Sequence, residues 1–205
     1  MAAQLRRLVL VRHGETEGNS STRFHGSRDV ALSEVGRAQM RAAIPALRSE
    51  VFDLVVASPL RRSWQSARIL AGPASLRLEA GFREIDFGRW EGMARDEIEA
   101  SDPILYRDWQ ARAPGFEYPG GEKRAEFRGR VKRGLERLQG SGARSVLGVL
   151  HKGVIRAIAE ELLGAPLADG EPELGARVDL TWDPSGRWFR GRRSSDPPGL
   201  VEGGA

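Results

Sequence analysis

The sequence predicts an α/β protein: a three-layer α/β/α sandwich with a mainly parallel central sheet and a helical excursion over the sheet's C-terminal edge. Three stretches predict it. Leu8-Val9-Leu10-Val11 is a continuous aliphatic run, as expected of a strand buried on both faces, and it breaks at once into Arg12-His13-Gly14-Glu15-Thr16. The pattern recurs at Asp53-Leu54-Val55-Val56-Ala57, followed by Ser58-Pro59-Leu60-Arg61-Arg62. It recurs again at Ser145-Val146-Leu147-Gly148-Val149-Leu150, followed by His151-Lys152-Gly153 and a helical pattern from Val154 to Leu163. Strands that alternate with helices form parallel sheets, and parallel strands bring their polar ends to one edge, where ligands bind.

That edge would be a small basic bowl. An arginine fork grips phosphate or carboxylate oxygens two at a time, and an imidazole beside it can serve as nucleophile, base or ligand. Fixed positive charge around the equatorial oxygens is what phosphoryl transfer requires. Gly14 lets the backbone pass close to a bound group.

Taken in order, Met1 to Arg7 lead into the first strand. Thr16 to Val30 has no sustained period and holds Asn19, Arg23, His25 and Gly26, so it reads as a loop at the same edge. A helix with Ser33 as its N-cap runs to about Leu47, disturbed at Pro45. After the second strand, Ser58 can cap a helix from Pro59 to Leu70, with Leu60, Trp64, Ala67 and Ile69-Leu70 as a buried stripe. A short strand near Leu76 to Glu79 precedes Phe82-Arg83-Glu84-Ile85-Asp86-Phe87-Gly88-Arg89-Trp90-Glu91-Gly92. The excursion, about residues 86–120, carries Tyr106, Trp109, Phe116 and Tyr118, which either pack together or line a leaving-group pocket. A long helix opens after Pro119-Gly120-Gly121-Glu122 and runs to about Leu138. Arg177 to Trp182 and Arg187 to Arg190 form a terminal hairpin around Asp183-Pro184-Ser185-Gly186. One domain would span 1–192, with a Gly/Pro/Ser-rich, disordered tail over 193–205.

These motifs, in this order, resemble the histidine phosphatase superfamily, in its phosphoglycerate-mutase-like branch. Leu-Val-Arg-His-Gly-Glu-Thr near the N-terminus and a second histidine at a later strand end carry the likeness, which runs from about Leu8 to Leu163. The resemblance implies that His13 is the nucleophile and that Glu84, in a segment similar to Arg-Glu-x-x-x-Gly-x-Trp-Glu-Gly, is the proton donor. By chemistry alone Glu84, Asp86 and Glu91 rank equally. It further implies that Arg12, Arg61 and His151 grip the phosphoryl oxygens, with Arg62 the alternative to Arg61. Asn19 would line the phosphate pocket and His25 would contact substrate, or else stand as an exposed loop histidine. Gly18 replaces a common tryptophan, and Lys152 replaces a common glycine. Lys152 would add a phosphate contact, crowd the pocket or point to solvent.

Composition narrows the classes. The chain has 205 residues, no cysteine and three histidines, which removes disulfides and cysteine nucleophiles and leaves no metal cluster to expect. The net charge of +4 comes from basic residues scattered among acidic ones, which suits anionic small molecules better than nucleic acid. No run approaches the ~18 apolar residues of a membrane span, so a cytoplasmic location is expected. A homodimer stays open. The predicted activity is metal-independent, cofactor-free hydrolysis of a small phosphorylated substrate through a phosphohistidine. The alternatives are a phosphoglycerate-type mutase and a catalytically weak phosphate-binding member of the fold. The short acidic stretch after Trp90-Glu91-Gly92 favours hydrolysis over the mutase.

Overall fold

Residues 4–191, apart from Pro73, are described by the structure, a computed structural model. The expected tail lies outside the described residues. Six strands form one sheet: β1 (Arg7–Arg12), β2 (Leu54–Ala57), β3 (Leu76–Leu78), β4 (Ser145–Leu150), β5 (Arg177–Trp182) and β6 (Trp188–Arg190). Their spatial order is β3-β2-β4-β1-β5-β6. β1, β2, β3 and β4 run parallel, and β5 and β6 add an antiparallel hairpin beside β1.

Because successive strand residues face opposite sides, each aliphatic run feeds two cores. Leu8, Leu10, Val146 and Leu150 pack with Phe127, Val131 and Leu135 of α5 (Arg124–Gln139) and with Ile155 and Ile158 of α6 (Lys152–Leu163). Val9, Val11, Leu147 and Val149 pack on the other side with Leu47 and with Ala67 and Trp64 of α2 (Arg61–Ala71). Helices therefore cover both faces. Each large aliphatic side chain buried in this way contributes roughly 1.5–3 kcal/mol.

Local chemistry sets the element ends. Ser33 caps α1 (Glu34–Ala43) by accepting from the Gly36 N–H at 3.1 Å. The helix gives way at Pro45 to a 3₁₀ turn, Ile44–Leu47, because proline lacks an N–H and crowds the preceding turn. α1 lies so close to the turn after β1 that a Cβ on Gly14 would stand 2.5 Å from the Gly36 carbonyl oxygen. α2 begins at Arg61, two residues later than expected from Pro59. Ser58 accepts from the Leu60 N–H at 3.2 Å and so shapes the turn before the helix, not its cap.

Between β3 and α5 lies the excursion, with α3 (Arg95–Ser101) and α4 (Pro103–Gln110). It has its own cluster: Trp90, Ile98, Tyr106 and Phe116 are buried, with Phe24, Trp109 and Tyr118 against them. The Trp90 indole N–H donates to Asp102 at 2.8 Å, which satisfies the one polar atom of a fully buried ring.

Candidate active site

All four parallel strands end at one place. β1 delivers Arg12 and His13, β2 leads into α2 and Arg62, β3 is followed by Glu84, and β4 is followed by His151. Since β1 and β4 are neighbours, paired in register up to Arg12 and Leu150, the two histidines emerge side by side. The His13 N–H donates to the Leu150 carbonyl at 3.0 Å, and the two imidazole rings meet edge-on with centroids 5.2 Å apart.

His13 is 4% exposed, and its Nδ1 lies 2.7 Å from the Gly14 carbonyl oxygen. A carbonyl oxygen can only accept, so Nδ1 holds the proton and Nε2 keeps its lone pair. Burial pushes the imidazole well below the usual histidine range, and the Arg62 and Arg12 guanidiniums push it further. The same causes, with His13 added, depress His151, whose two ring nitrogens are buried with no hydrogen-bond partner among the described residues.

Arg12 donates from Nη1 to the Pro172 carbonyl at 3.0 Å, while its Nε is buried with no acceptor among the described residues. Arg62 is 1% exposed and donates to the Arg28 and Gly26 carbonyls, both at 2.6 Å. Burial lowers it to about 10, which leaves it charged at neutral pH. Arg61 does not reach the site. It is exposed beside the loop, where its backbone N–H donates to Asp29 at 2.6 Å. The buried face of α2 carries Arg62, Ser63, Ser66 and Ala67, and Arg61 lies one step off that face. The predicted apolar stripe does pack, with Ala67 buried in the core and Trp64 and Leu70 against it, but it leaves open which of the two arginines turns inward.

Glu84 is 8% exposed and held at both oxygens: the Ile85 N–H donates to Oε1 at 3.0 Å and the Gly153 N–H to Oε2 at 2.9 Å. A Cβ on Gly153 would overlap Oε1. Of the three acidic candidates, Glu84 alone lines the cleft. Asp86 accepts from the Gly88 N–H, and Glu91 accepts from Ser27 and Phe87, binding the loop to the excursion.

Asn19 is not brought to the site either. It is exposed at a turn with φ 62°, and its carbonyl accepts from the Thr22 and Arg23 N–H groups. Ser20, Ser21 and Thr22 line the cleft in its stead. His25 does line it, with Nε2 donating to the Gly18 carbonyl at 3.0 Å and a buried, unpartnered Nδ1. Gly18 has φ 83° and faces this ring, a conformation that tryptophan would adopt only with strain. Lys152 lines the cleft as the first residue of α6.

The whole cleft measures about 1170 Å³, with Phe24, Trp109, Phe116 and Tyr118 as an aromatic wall. Trp109, Phe116 and Tyr118 thus both pack together and line the pocket, whereas Tyr106 packs in the cluster behind them. Among the described residues no group of three or more His, Asp or Glu side chains could hold a metal ion. No helix there is long and apolar enough to cross a membrane.

Residues 8–190 match the histidine phosphatase superfamily, branch 1. The chain belongs to that superfamily. A glucosyl-3-phosphoglycerate phosphatase of Mycobacterium tuberculosis is 35% identical over 198 residues, spanning 91% of this chain and 88% of the relative. A putative α-ribazole-5′-phosphate phosphatase from Escherichia coli superposes with a TM-score of 0.79 at 25% identity, over 96% of this chain and 99% of that one. A mycobacterial glucosyl-3-phosphoglycerate phosphatase in complex with VO₃ superposes with a TM-score of 0.78 at 32% identity, over 91% and 97%. Like these histidine phosphatases, the chain is a phosphatase acting on phosphomonoesters, and the mutase alternative is not favoured.

Proposed function

We propose that this phosphatase works by two successive in-line transfers through a phosphohistidine at His13. The observation that carries this reading is the His13 tautomer: Nδ1–H is tied to the Gly14 carbonyl, leaving Nε2 unprotonated beside a second imidazole. Nε2 attacks phosphorus, and the P–O bond to the leaving group breaks as the N–P bond forms. Glu84 protonates the departing alkoxide. As a carboxylate it then takes a proton from the water that attacks phosphorus and releases inorganic phosphate from His13.

Arg12, Arg62 and His151 hold the non-bridging oxygens. The unpartnered Arg12 Nε and His151 ring nitrogens support this, since buried polar atoms without acceptors or donors suit a bound anion. With that charge supplied by side chains, the reaction runs without a metal. His25 offers its bare Nδ1 as an acceptor to the substrate. The substrate is a small phosphorylated molecule, of which the relatives' glucosyl-3-phosphoglycerate is one candidate type.

The test is hydrolysis of a panel of phosphomonoesters in EDTA by the wild type and His13→Ala, with an alkaline quench to trap phosphohistidine. Turnover should persist in chelator and fall about a thousandfold or more in the variant, together with the alkali-stable label. Loss of turnover in EDTA, or its survival in His13→Ala, would overturn the mechanism.

A further inference from the structure

We propose that Lys152 is the specificity-determining residue of the cleft, selecting phosphomonoesters whose leaving group carries a second anion, either a carboxylate or another phosphoryl group. This rests on the hydrolase mechanism above and goes beyond it to the part of the substrate that is not transferred.

Most cations of the cleft are held by hydrogen bonds or ion pairs within the protein. Arg62 and Arg12 are tied to backbone carbonyls next to the reacting histidines. Arg156 donates to the carbonyls of Leu167, Ala168 and Glu171, Arg23 and Arg128 pair with Glu97 and Glu160, and Arg112 pairs with Asp169. Lys152 differs from all of these. Its ammonium makes no hydrogen bond or ion pair with any described residue, although the side chain is half-buried at the lip of the phosphate bowl. Its sequence neighbours are His151 and the Gly153 that holds Glu84, so it stands one residue from the chemistry on both sides.

Its surroundings are unfavourable to a cation unless an anion arrives. Arg12, Arg156 and Arg95 all repel it, and the acidic groups that face it are Glu173, which is exposed and beyond ion-pair distance, and Asp169, which is taken up by Arg112. Burial adds to the cost of the charge. Arg95 from α3 and Arg124 from α5 line the same outer cleft; Arg95 lies over the Trp109 ring, 5.9 Å from its centroid, and neither guanidinium is paired with a carboxylate among the described residues. Three elements thus bring positive charge without a carboxylate partner to the space beyond the phosphoryl group, where Trp109, Phe116 and Tyr118 can cover the carbon skeleton of a leaving group. A neutral leaving group would fill the aromatic wall and leave the ammonium unanswered. An anionic one answers both.

The test uses three substrates with the same three-carbon skeleton: propyl phosphate, 3-phosphooxypropanoate and propane-1,3-diol bisphosphate. In the wild type kcat/KM should favour the last two. Lys152→Met should lower kcat/KM on the anionic substrates about ten- to a hundredfold and change propyl phosphate less than about threefold. Lys152→Arg, which keeps the charge, should preserve the discrimination. A loss confined to the carboxylate or to the bisphosphate supports the proposal and identifies the anion. An equal loss on all three substrates, or no loss on any, would overturn it. His13→Ala run on propyl phosphate keeps the two readings apart: survival of that activity defeats the phosphohistidine mechanism, whereas its loss beside an unselective Lys152→Met defeats this proposal alone.

Discussion

Two neighbouring arginines have opposite fates because one step around a helix separates water from the site. Arg62 is fixed by two carbonyls of the loop at Gly26 and Arg28, and Arg61 is exposed. Arg62→Ala should therefore cost about ten- to a thousandfold in kcat/KM, and Arg61→Ala should stay within about threefold of the wild type. Steady-state assays on one aryl phosphate separate them. The pair also marks the limit of legibility at this scale: Arg-Arg after a strand announces a phosphate grip, but the choice between them depends on where the helix begins. Helix α2 begins at Arg61, two residues beyond the Pro59 start that the sequence predicts. Asn19 failed similarly, since its position in a motif says nothing of the turn that points it outward.

The histidines give a second consequence at the same scale. Both imidazoles lie below the ordinary value of 6.5 in the folded protein, so the unfolded chain binds more protons than the folded one once pH drops under 6.5. Their contribution to stability is complete above pH 6.5 and is lost as pH falls toward the depressed folded values. Urea midpoints should show this decline, and His151→Asn should make it shallower. A wild type and variant with parallel pH profiles would refute the assignment.

At the level of elements, β1, β2 and β4 were the most readable because unbroken aliphatic runs have few alternatives, and three of the four parallel strand ends follow from them. Contacts between elements were not readable. Nothing in His151-Lys152-Gly153 reveals that the glycine N–H holds the carboxylate delivered after β3, or that the glycine is bare because Glu84 occupies the space. Gly153→Ala should push Glu84 aside and lower kcat up to about a hundredfold, with KM changed less than about threefold. A proportional rise in KM would mean that the substitution disturbs the phosphate grip instead.

For the molecule as a whole, the excursion is a third cluster that meets the larger of the two sheet cores through the partly buried Phe87 and Tyr118. Its aromatic content was plain in the sequence. Its double duty as packing and pocket wall was not, because that depends on Phe24 arriving from a distant loop. Trp90→Ala should cost about 3–5 kcal/mol. Hydrogen exchange should accelerate across residues 87–118 and the loop at 20–30, while the amides of β1 and β4 stay protected. Uniform acceleration would show that the clusters melt together.

The central pairing of β1 with β4 has a bearing on biosynthesis. The two imidazoles stand far apart in the chain, so on the proposed mechanism a nascent chain that has displayed His13 has no chemistry to offer until the fourth parallel strand leaves the ribosome and slots in beside the first. A truncated product ending before that strand would be inert, and the appearance of turnover would time the completion of the fold.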